Sequence, residues 1–102
     1  MFSKSNRYMT KGINQTLDIS IQVMLWKIID DLKARKEIEL DYLQVFNIRR
    51  NKEELLVEHT QEIPEYKKVY FFNNLGSLIQ EDLKIFIIDE NEYNIMLLAE
   101  EY

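Results

Sequence analysis

Residues 18–35 have the sequence DISIQVMLWKIIDDLKAR, which carries the strongest structural signal in the chain. Its apolar positions recur with the period of an α-helix, at Ile21, Leu25, Ile28 and Leu32, with Met24 and Ile29 beside them. This spacing predicts an amphipathic helix that buries one face. Asp18 or Ser20 is the predicted N-cap, and Lys33 and Arg35 suit the negative end of the helix dipole. Such a helix needs a flat apolar partner.

The chain that follows the helix is predicted to supply that partner as β-strands. Apolar and polar residues alternate, as in half-buried strands, along Ile38 to Arg49, Leu55 to Ile63 and Tyr66 to Phe72. Lys84 to Asp89 is apolar on both faces, which favours a central strand, and Tyr93 to Ala99 is its predicted hairpin partner. These strands are joined by short polar segments typical of hairpin turns.

Strand faces and turns follow from the same alternation. Leu55, Val57 and Ile63 are assigned to one face, and the even positions from Leu40 and Tyr42 onward to the buried face of the preceding strand. The polar tip at residues 49–53 predicts a hairpin turn, and Pro64 marks a strand end, a bulge or an edge.

The N-terminal segment Arg7 to Ile13 is predicted as a further short strand. Because no second helix is expected for a crossover, parallel pairing is not expected either. The predicted fold class is α+β, with one amphipathic helix packed on a mostly antiparallel sheet of about five to six strands. The order is β-α-β-β-β-β-β, and the sheet is either open or partly closed into a barrel.

Composition and charge limit the function classes. With 102 residues, of which 46% are apolar and 30% charged, the chain is expected to form a single domain over residues 1–102. A net charge of -5 disfavours binding to nucleic acids and to anionic membranes. There is no cysteine, and the polar start MFSKSNR and the short apolar runs predict neither a signal peptide nor a membrane span. The expected compartment is the cytoplasm.

Catalytic, metal and cofactor sites are not predicted. The single histidine, His59, lies between Glu58 and Glu62, but alternation puts Glu58 on the opposite face of the strand, so a half-buried or solvent-edge structural role is expected. Residues 89–92, DENE, lack the ligand spacing of a calcium loop and are interpreted as a turn. Gly12 and Gly76 are too far apart for a phosphate-binding loop.

A cluster of cations and aromatic residues is the candidate nucleic-acid contact. Its members are Arg49, Arg50, Lys52, Lys67, Lys68, Tyr66 and Tyr70. Aromatic rings among cations on a sheet surface can stack bases and neutralise phosphates, as single-strand binders do. The alternative interpretation is that the lysines protect an edge strand from association and that the tyrosines bury their rings.

Val23 and Trp26 lie off the main apolar stripe of the predicted helix. They either complete the packing of a wide sheet around the helix or form a partner interface. Homodimerisation through this helix flank, or through an unpaired edge strand, is the leading specific hypothesis.

Four phrases of the sequence carry a resemblance to a known family: RYMTKGI at residues 7–13, LDYLQVF at 40–46, QEIPEYKK at 61–68 and MLLAEEY at 96–102. The chain resembles the small bacterial family catalogued as domain of unknown function 960, which is associated with Gram-positive bacteria of low GC content. The resemblance spans nearly the whole chain, and it implies no activity, cofactor or catalytic residue.

These observations favour a non-enzymatic interaction or structural domain that associates with itself or with another protein, without a cofactor or metal. A weak single-stranded nucleic-acid-binding module is the alternative. An enzyme that acts through carboxylates alone is the most distant possibility.

Overall fold

The computed structural model describes all 102 residues. Its elements are β1 (Arg7–Met9), α1 (Lys11–Thr16), α2 (Ile19–Arg35), β2 (Leu43–Asn51), β3 (Glu54–Gln61), β4 (Tyr66–Phe72), β5 (Leu83–Asp89) and β6 (Asn94–Leu98), with short 3-10 turns at Gly76–Leu78 and Ala99–Glu101. All strands form one six-stranded sheet in the order β1-β6-β5-β2-β3-β4. The strand pair β1–β6 is parallel, and every other pair is antiparallel. The fold is therefore α+β, with a mixed sheet that stays open.

Helix α2 is confirmed over the predicted residues. It begins after Asp18 and ends at Arg35, where Lys36 adopts a left-handed conformation with φ 56° and terminates the helical hydrogen bonding. The Asp18 carboxylate does not cap the helix backbone. Instead, it accepts a hydrogen bond from the Ser20 hydroxyl at 3.2 Å. None of the helices combines the length and the apolar character that a bilayer crossing requires.

One apolar cluster contains side chains from both helices and from the sheet. Helix α2 contributes the stripe Ile21, Leu25, Ile28 and Ile29, and the strands contribute Phe46, Ile48, Leu55, Val57, Ile85, Ile87, Met96 and Leu98. Phe2 and Ile13 join the same cluster from the N-terminal segment and from α1. The sheet face that carries these side chains is called the inner face below, and the opposite face is the outer face.

The N-terminal prediction is wrong in two respects. The strand ends at Met9, because Thr10 caps a short second helix: the Thr10 hydroxyl accepts a hydrogen bond from the Ile13 N–H at 3.2 Å. In addition, β1 pairs in parallel with β6, with Arg7 opposite Asn94. The crossover rule concerns strands that follow one another, whereas β1 and β6 are separated by most of the chain, so their parallel pairing needs no dedicated crossover helix.

Two other boundaries also differ from the predictions. The strand predicted from Ile38 begins at Leu43, and Tyr42 lies exposed. Strand β3 ends at Gln61, so Ile63 is 77% exposed rather than part of the buried face. Beyond this end of the strand, the Asp41 carboxylate accepts a hydrogen bond from the Ile63 N–H at 3.2 Å.

The remaining strand predictions are confirmed. Strand β4 has the predicted bounds, and β5 lies in the interior of the sheet between β6 and β2. The β2–β3 hairpin tip is shorter than the predicted residues 49–53, because Arg49 and Arg50 pair with β3 and the turn lies at Lys52 and Glu53. The predicted turn at residues 89–92 joins β5 to β6, which pair antiparallel. The sheet does not close into a barrel, so β1 and β4 are its two edges.

Candidate interaction surface

The outer face of the sheet has an apolar centre. The strand register places Leu43, Ile88 and Ile95 in one row and Val45, Phe86 and Leu97 in the next. Ile88 and Leu97 are buried. The C-terminal Tyr102 ring meets the Phe86 ring edge-on, with the centroids 5.5 Å apart. The centre of this face is thus partly covered by the chain's own side chains.

Exposed apolar side chains extend this face to the β4 edge. Register with β3 puts Lys67, Val69 and Phe71 on the outer face, opposite Thr60, Glu58 and Leu56. Val69 is 37% exposed and Phe71 is 61% exposed. Strand β4 has seven residues and pairs with β3 on one side only. An unpaired strand with exposed apolar side chains is a template for pairing with another chain.

The two lysines of β4 lie against their own chain. The Lys67 ammonium is 3.3 Å from the Glu58 carboxylate on β3, and the Lys67 side chain is 63% exposed. The Lys68 ammonium lies 5.0 Å from the centroid of the Tyr70 ring. Edge lysines oppose sheet-to-sheet association through their charge. In β4 one lysine charge is partly offset by a carboxylate, and the other lies near an aromatic ring.

The predicted nucleic-acid cluster is divided between the two faces. Strand alternation places Arg49 and Lys67 on the outer face, and it places the rest of the β2 and β4 members on the inner side, namely Arg50, Tyr66, Lys68 and Tyr70. Lys52 lies at the hairpin turn, where its carbonyl accepts a hydrogen bond from Arg50 Nε at 2.7 Å. The seven side chains therefore do not form one surface. Burial is the main cause that raises the pKa of Tyr70, with a smaller contribution from Tyr66.

Of the two residues in the predicted partner interface on α2, one is exposed and the other is packed against the N-terminal segment. Val23 is 60% exposed. Trp26 is partly buried, and the Arg7 guanidinium lies 4.5 Å from the centroid of its ring. Arg7 also forms a two-pronged ion pair with Asp30, the shorter contact being 2.6 Å. The N-terminal segment thus covers part of the flank that Trp26 was predicted to offer to a partner.

His59 is fully buried rather than half-buried. Its ring stacks on Phe46, with the centroids 4.5 Å apart, and meets the Tyr66 ring edge-on. Its Nε2 lies 2.6 Å from Gln44 Oε1, whereas its Nδ1 has no hydrogen-bond partner. Burial lowers the pKa of His59 from 6.5 to about 4, so the ring is neutral at neutral pH.

Two glutamines fix the tautomer of this histidine. Gln61 Nε2 donates to the Glu39 and Pro64 carbonyls at 3.0 and 2.8 Å, so its Oε1 faces inward and accepts from Gln44 Nε2 at 2.7 Å. Gln44 Oε1 consequently faces His59 and accepts a hydrogen bond, so Nε2 carries the proton. The Nδ1 atom, which carries the free lone pair, is buried without a hydrogen-bond partner.

This polar cluster has the features of a structural support. Both glutamines are buried, and their amides tie β2 and β3 to the loop backbone at Glu39, Asp41 and Pro64. His59 contacts no carboxylate or hydroxyl nucleophile within hydrogen-bond distance. No group of three or more histidine, aspartate and glutamate side chains is arranged to hold a metal ion. Sequence reasoning missed Gln44 and Gln61, although each lies at an inward position of its strand.

Comparison with known proteins shows a structure of similar fold and a matching family, and neither has an assigned activity. A crystal structure of a protein of unknown function from Enterococcus faecalis is similar in fold, with a TM-score of 0.83 and 23% sequence identity. The similarity covers 99% of this chain and 94% of the enterococcal chain. No curated protein matches the sequence.

A family model matches residues 6–101, and its description is "Staphylococcal protein of unknown function (DUF960)". This is the family that the four sequence phrases resemble, so the resemblance is confirmed. The matched residues take in all six strands and both helices of the fold. The chain belongs to this family, domain of unknown function 960.

Proposed function

We propose that the protein is a small, non-enzymatic cytoplasmic interaction domain that associates with itself through the β4 edge and the adjoining outer face. The observation that carries the proposal is the exposure of Val69 and Phe71 on an unpaired seven-residue strand. Exposed apolar side chains at a free edge are characteristic of interfaces rather than of solvated surfaces.

The chemistry of the interior supports a binding role over an enzymatic one. A general base needs a lone pair within reach of a substrate proton and a pKa near the working pH. The free nitrogen of His59 is buried, and its pKa is lowered to about 4. The two glutamines beside the ring are themselves hydrogen-bonded to backbone carbonyl groups. This arrangement favours stability of the β2–β3 pair over turnover.

The geometry also favours protein association over the single-stranded nucleic-acid alternative. Base stacking along one strand of nucleic acid requires cations and aromatic rings on a common surface. Arg49 and Lys67 lie on the outer face, away from Tyr66 and Tyr70. The Lys67 charge is further offset by Glu58.

Size-exclusion chromatography with multi-angle light scattering tests the proposal. We expect the wild-type protein to have twice the mass of one chain at micromolar concentration. Phe71→Lys should shift the protein to the monomer without loss of folded structure, because Phe71 is 61% exposed and a further cation adds to the charge of Lys67 and Lys68 at this edge. Val23→Lys is the matched control, since Val23 is 60% exposed on α2, and this variant should remain dimeric.

The outcomes separate the possible interfaces. A monomeric wild-type protein at all accessible concentrations contradicts self-association. A dimer that Val23→Lys disrupts and Phe71→Lys preserves moves the interface to the helix flank, and so overturns the assignment to β4.

A further inference from the structure

We infer that strand β4 pairs antiparallel with β4 of a second copy, around a two-fold axis that passes through Val69. This inference rests on the proposed self-association and specifies its register. The dimer would have one continuous sheet that runs across both copies, with the two outer faces on the same side.

Strand length selects the edge that can do this. The other edge strand, β1, has three residues, which is too short to support a stable ladder with another chain. Strand β4 has seven residues, and alternate residues along it direct unpaired N–H and C=O groups toward the free edge. A second copy can satisfy these N–H and C=O groups by strand addition.

Face matching limits where the axis can lie. A two-fold axis perpendicular to the sheet places the inner faces of both copies on the same side. Because side chains alternate along a strand, each outward-facing residue must then pair with an outward-facing residue of the other copy, so the numbers of paired residues differ by an even number. The axis must therefore pass through a residue of β4 rather than between two residues. Tyr66–Phe72 offers seven such positions, and the central one is Val69.

Charge then distinguishes among these positions. An axis at Lys67 or Lys68 would place that lysine directly opposite its own copy, which is unfavourable for like charges. An axis at Tyr70 avoids this repulsion, but it leaves Tyr66 and Lys67 outside the paired ladder. An axis at Val69 pairs the whole strand and brings no two lysines into opposition.

The side chains that face one another in this register are complementary. Lys67 lies opposite Phe71 of the second copy, and Lys68 lies opposite Tyr70 of the second copy. Within one chain the Lys68 ammonium already lies 5.0 Å from the Tyr70 ring, so the register continues a contact that the strand makes by itself. On the outer face, the two copies of Val69 meet at the axis and cover the exposed Phe71 rings from either side.

Cysteine cross-linking tests the register directly, because the chain has no cysteine of its own. Residues paired across antiparallel strands have Cα atoms about 4.5–5.5 Å apart, which a disulfide can span. We therefore expect Val69→Cys to form a disulfide-linked dimer in full yield under mild oxidation. Lys67→Cys is the matched control on the same strand and face: its two copies would be about 13 Å apart, so it should stay unlinked.

A mixed experiment adds a second readout of the same register. Lys67→Cys and Phe71→Cys proteins, each slow to cross-link alone, should form the mixed disulfide when they are combined. Circular dichroism before oxidation shows that each variant is folded.

The outcomes distinguish this inference from the proposal on which it rests. If light scattering shows a wild-type dimer but Val69→Cys cross-links no faster than Lys67→Cys, the register is wrong and self-association stands. Efficient cross-linking of Val23→Cys instead would place the axis on the helix flank. A monomeric wild-type protein overturns both the inference and the proposed function.

Discussion

His59 Nε2 donates a 2.6 Å hydrogen bond to Gln44 Oε1 in the interior of the protein. The direction of this bond follows from Gln61. A backbone carbonyl orients the Gln61 amide, and Gln61 Oε1 in turn accepts a hydrogen bond from Gln44 Nε2, which leaves Gln44 Oε1 facing His59. The only histidine of the chain is thereby held in one tautomer, with its second nitrogen buried and without a hydrogen-bond partner. Protonation of this buried ring is therefore expected to lower the free energy of unfolding.

The protein is expected to lose stability in mildly acidic solution because of His59. Burial lowers the pKa of His59 from 6.5 to about 4, so the unfolded chain binds a proton at a higher pH than the folded chain does. The contribution of His59 is complete above the unfolded pKa and decreases as the pH falls from 6.5 toward 4. We expect the free energy of unfolding in urea to fall by about 1 kcal/mol between roughly pH 7.5 and 5.5.

The control for this prediction is His59→Leu. The variant is expected to be less stable at every pH, because Gln44 Oε1 loses its donor. Its stability should nevertheless be flat above about pH 5.5, where most carboxylates do not titrate. An equal slope in wild type and variant would show that another group is responsible.

Gln61 is expected to be the most sensitive member of the buried polar cluster. Its amide partners the Gln44 side chain, the Asp41 N–H and two backbone carbonyls. Gln61→Leu leaves these groups without partners, so unfolding in guanidinium chloride should show a loss of about 2–3 kcal/mol. Gln80→Leu is the comparison, since Gln80 is exposed, and it should change stability by less than about 0.5 kcal/mol. Similar values for the two variants would contradict a supporting role for the cluster.

Local sequence patterns predict the parts of the fold that depend on neighbouring residues. The stripe in α2 and the alternation in β4 both repeat within a single element, and both elements have the expected bounds. The same alternation extends in the sequence to Ile63, but the chain turns away at Gln61. Pro64 indicates a strand end near this position, but it does not fix the last residue of β3. The Ile63 N–H donates to Asp41, a residue far away in the sequence, and a contact of this kind leaves no local pattern.

The candidate site was harder to predict for the same reason. Which strand lies at the edge depends on sheet order, and β4 becomes an edge only because β5 pairs with β2. Gln44 and Gln61 share the alternation of the buried residues on their strands, but no local pattern indicates that two amides 17 residues apart meet and orient a histidine. The parallel β1–β6 pair likewise joins opposite ends of the chain.

The ion pair of Arg7 with Asp30 should contribute far more than a surface pair. The side chains are 16% and 22% exposed, and Arg7 also donates to the Phe2 and Ser3 carbonyls, each at 3.0 Å. Arg7→Ala should lower the free energy of unfolding by about 2 kcal/mol, because it leaves a half-buried carboxylate without its partner. Arg7→Lys should not restore this loss, since an ammonium lacks the planar fork of a guanidinium.

Two measurements check the Arg7 prediction. Trp26 is the only tryptophan and lies beneath the Arg7 guanidinium, so its fluorescence should change in Arg7→Ala. Lys27→Ala is the control: Lys27 pairs with Asp31 in solvent, with side chains 72% and 57% exposed, and its loss should cost less than about 0.5 kcal/mol. An equally large effect of Lys27→Ala would contradict the assignment.

The two glycines should respond differently to alanine. A Cβ at Gly76 would lie 2.8 Å from the Glu53 carbonyl carbon and from the Lys52 carbonyl oxygen, which are backbone atoms of the β2–β3 hairpin tip. Gly76→Ala should therefore lower the free energy of unfolding by about 2 kcal/mol, because backbone must shift to admit the methyl group. The nearest neighbour of a Cβ at Gly12 would be the Glu101 carboxylate, a side-chain group that accepts hydrogen bonds from the Thr10 hydroxyl and the Leu98 N–H, and alanine favours the helix at that position. Urea titrations of both variants should thus rank Gly76→Ala well below Gly12→Ala in stability, and the reverse order would show that the Glu101 carboxylate, not the hairpin tip, is the less yielding neighbour.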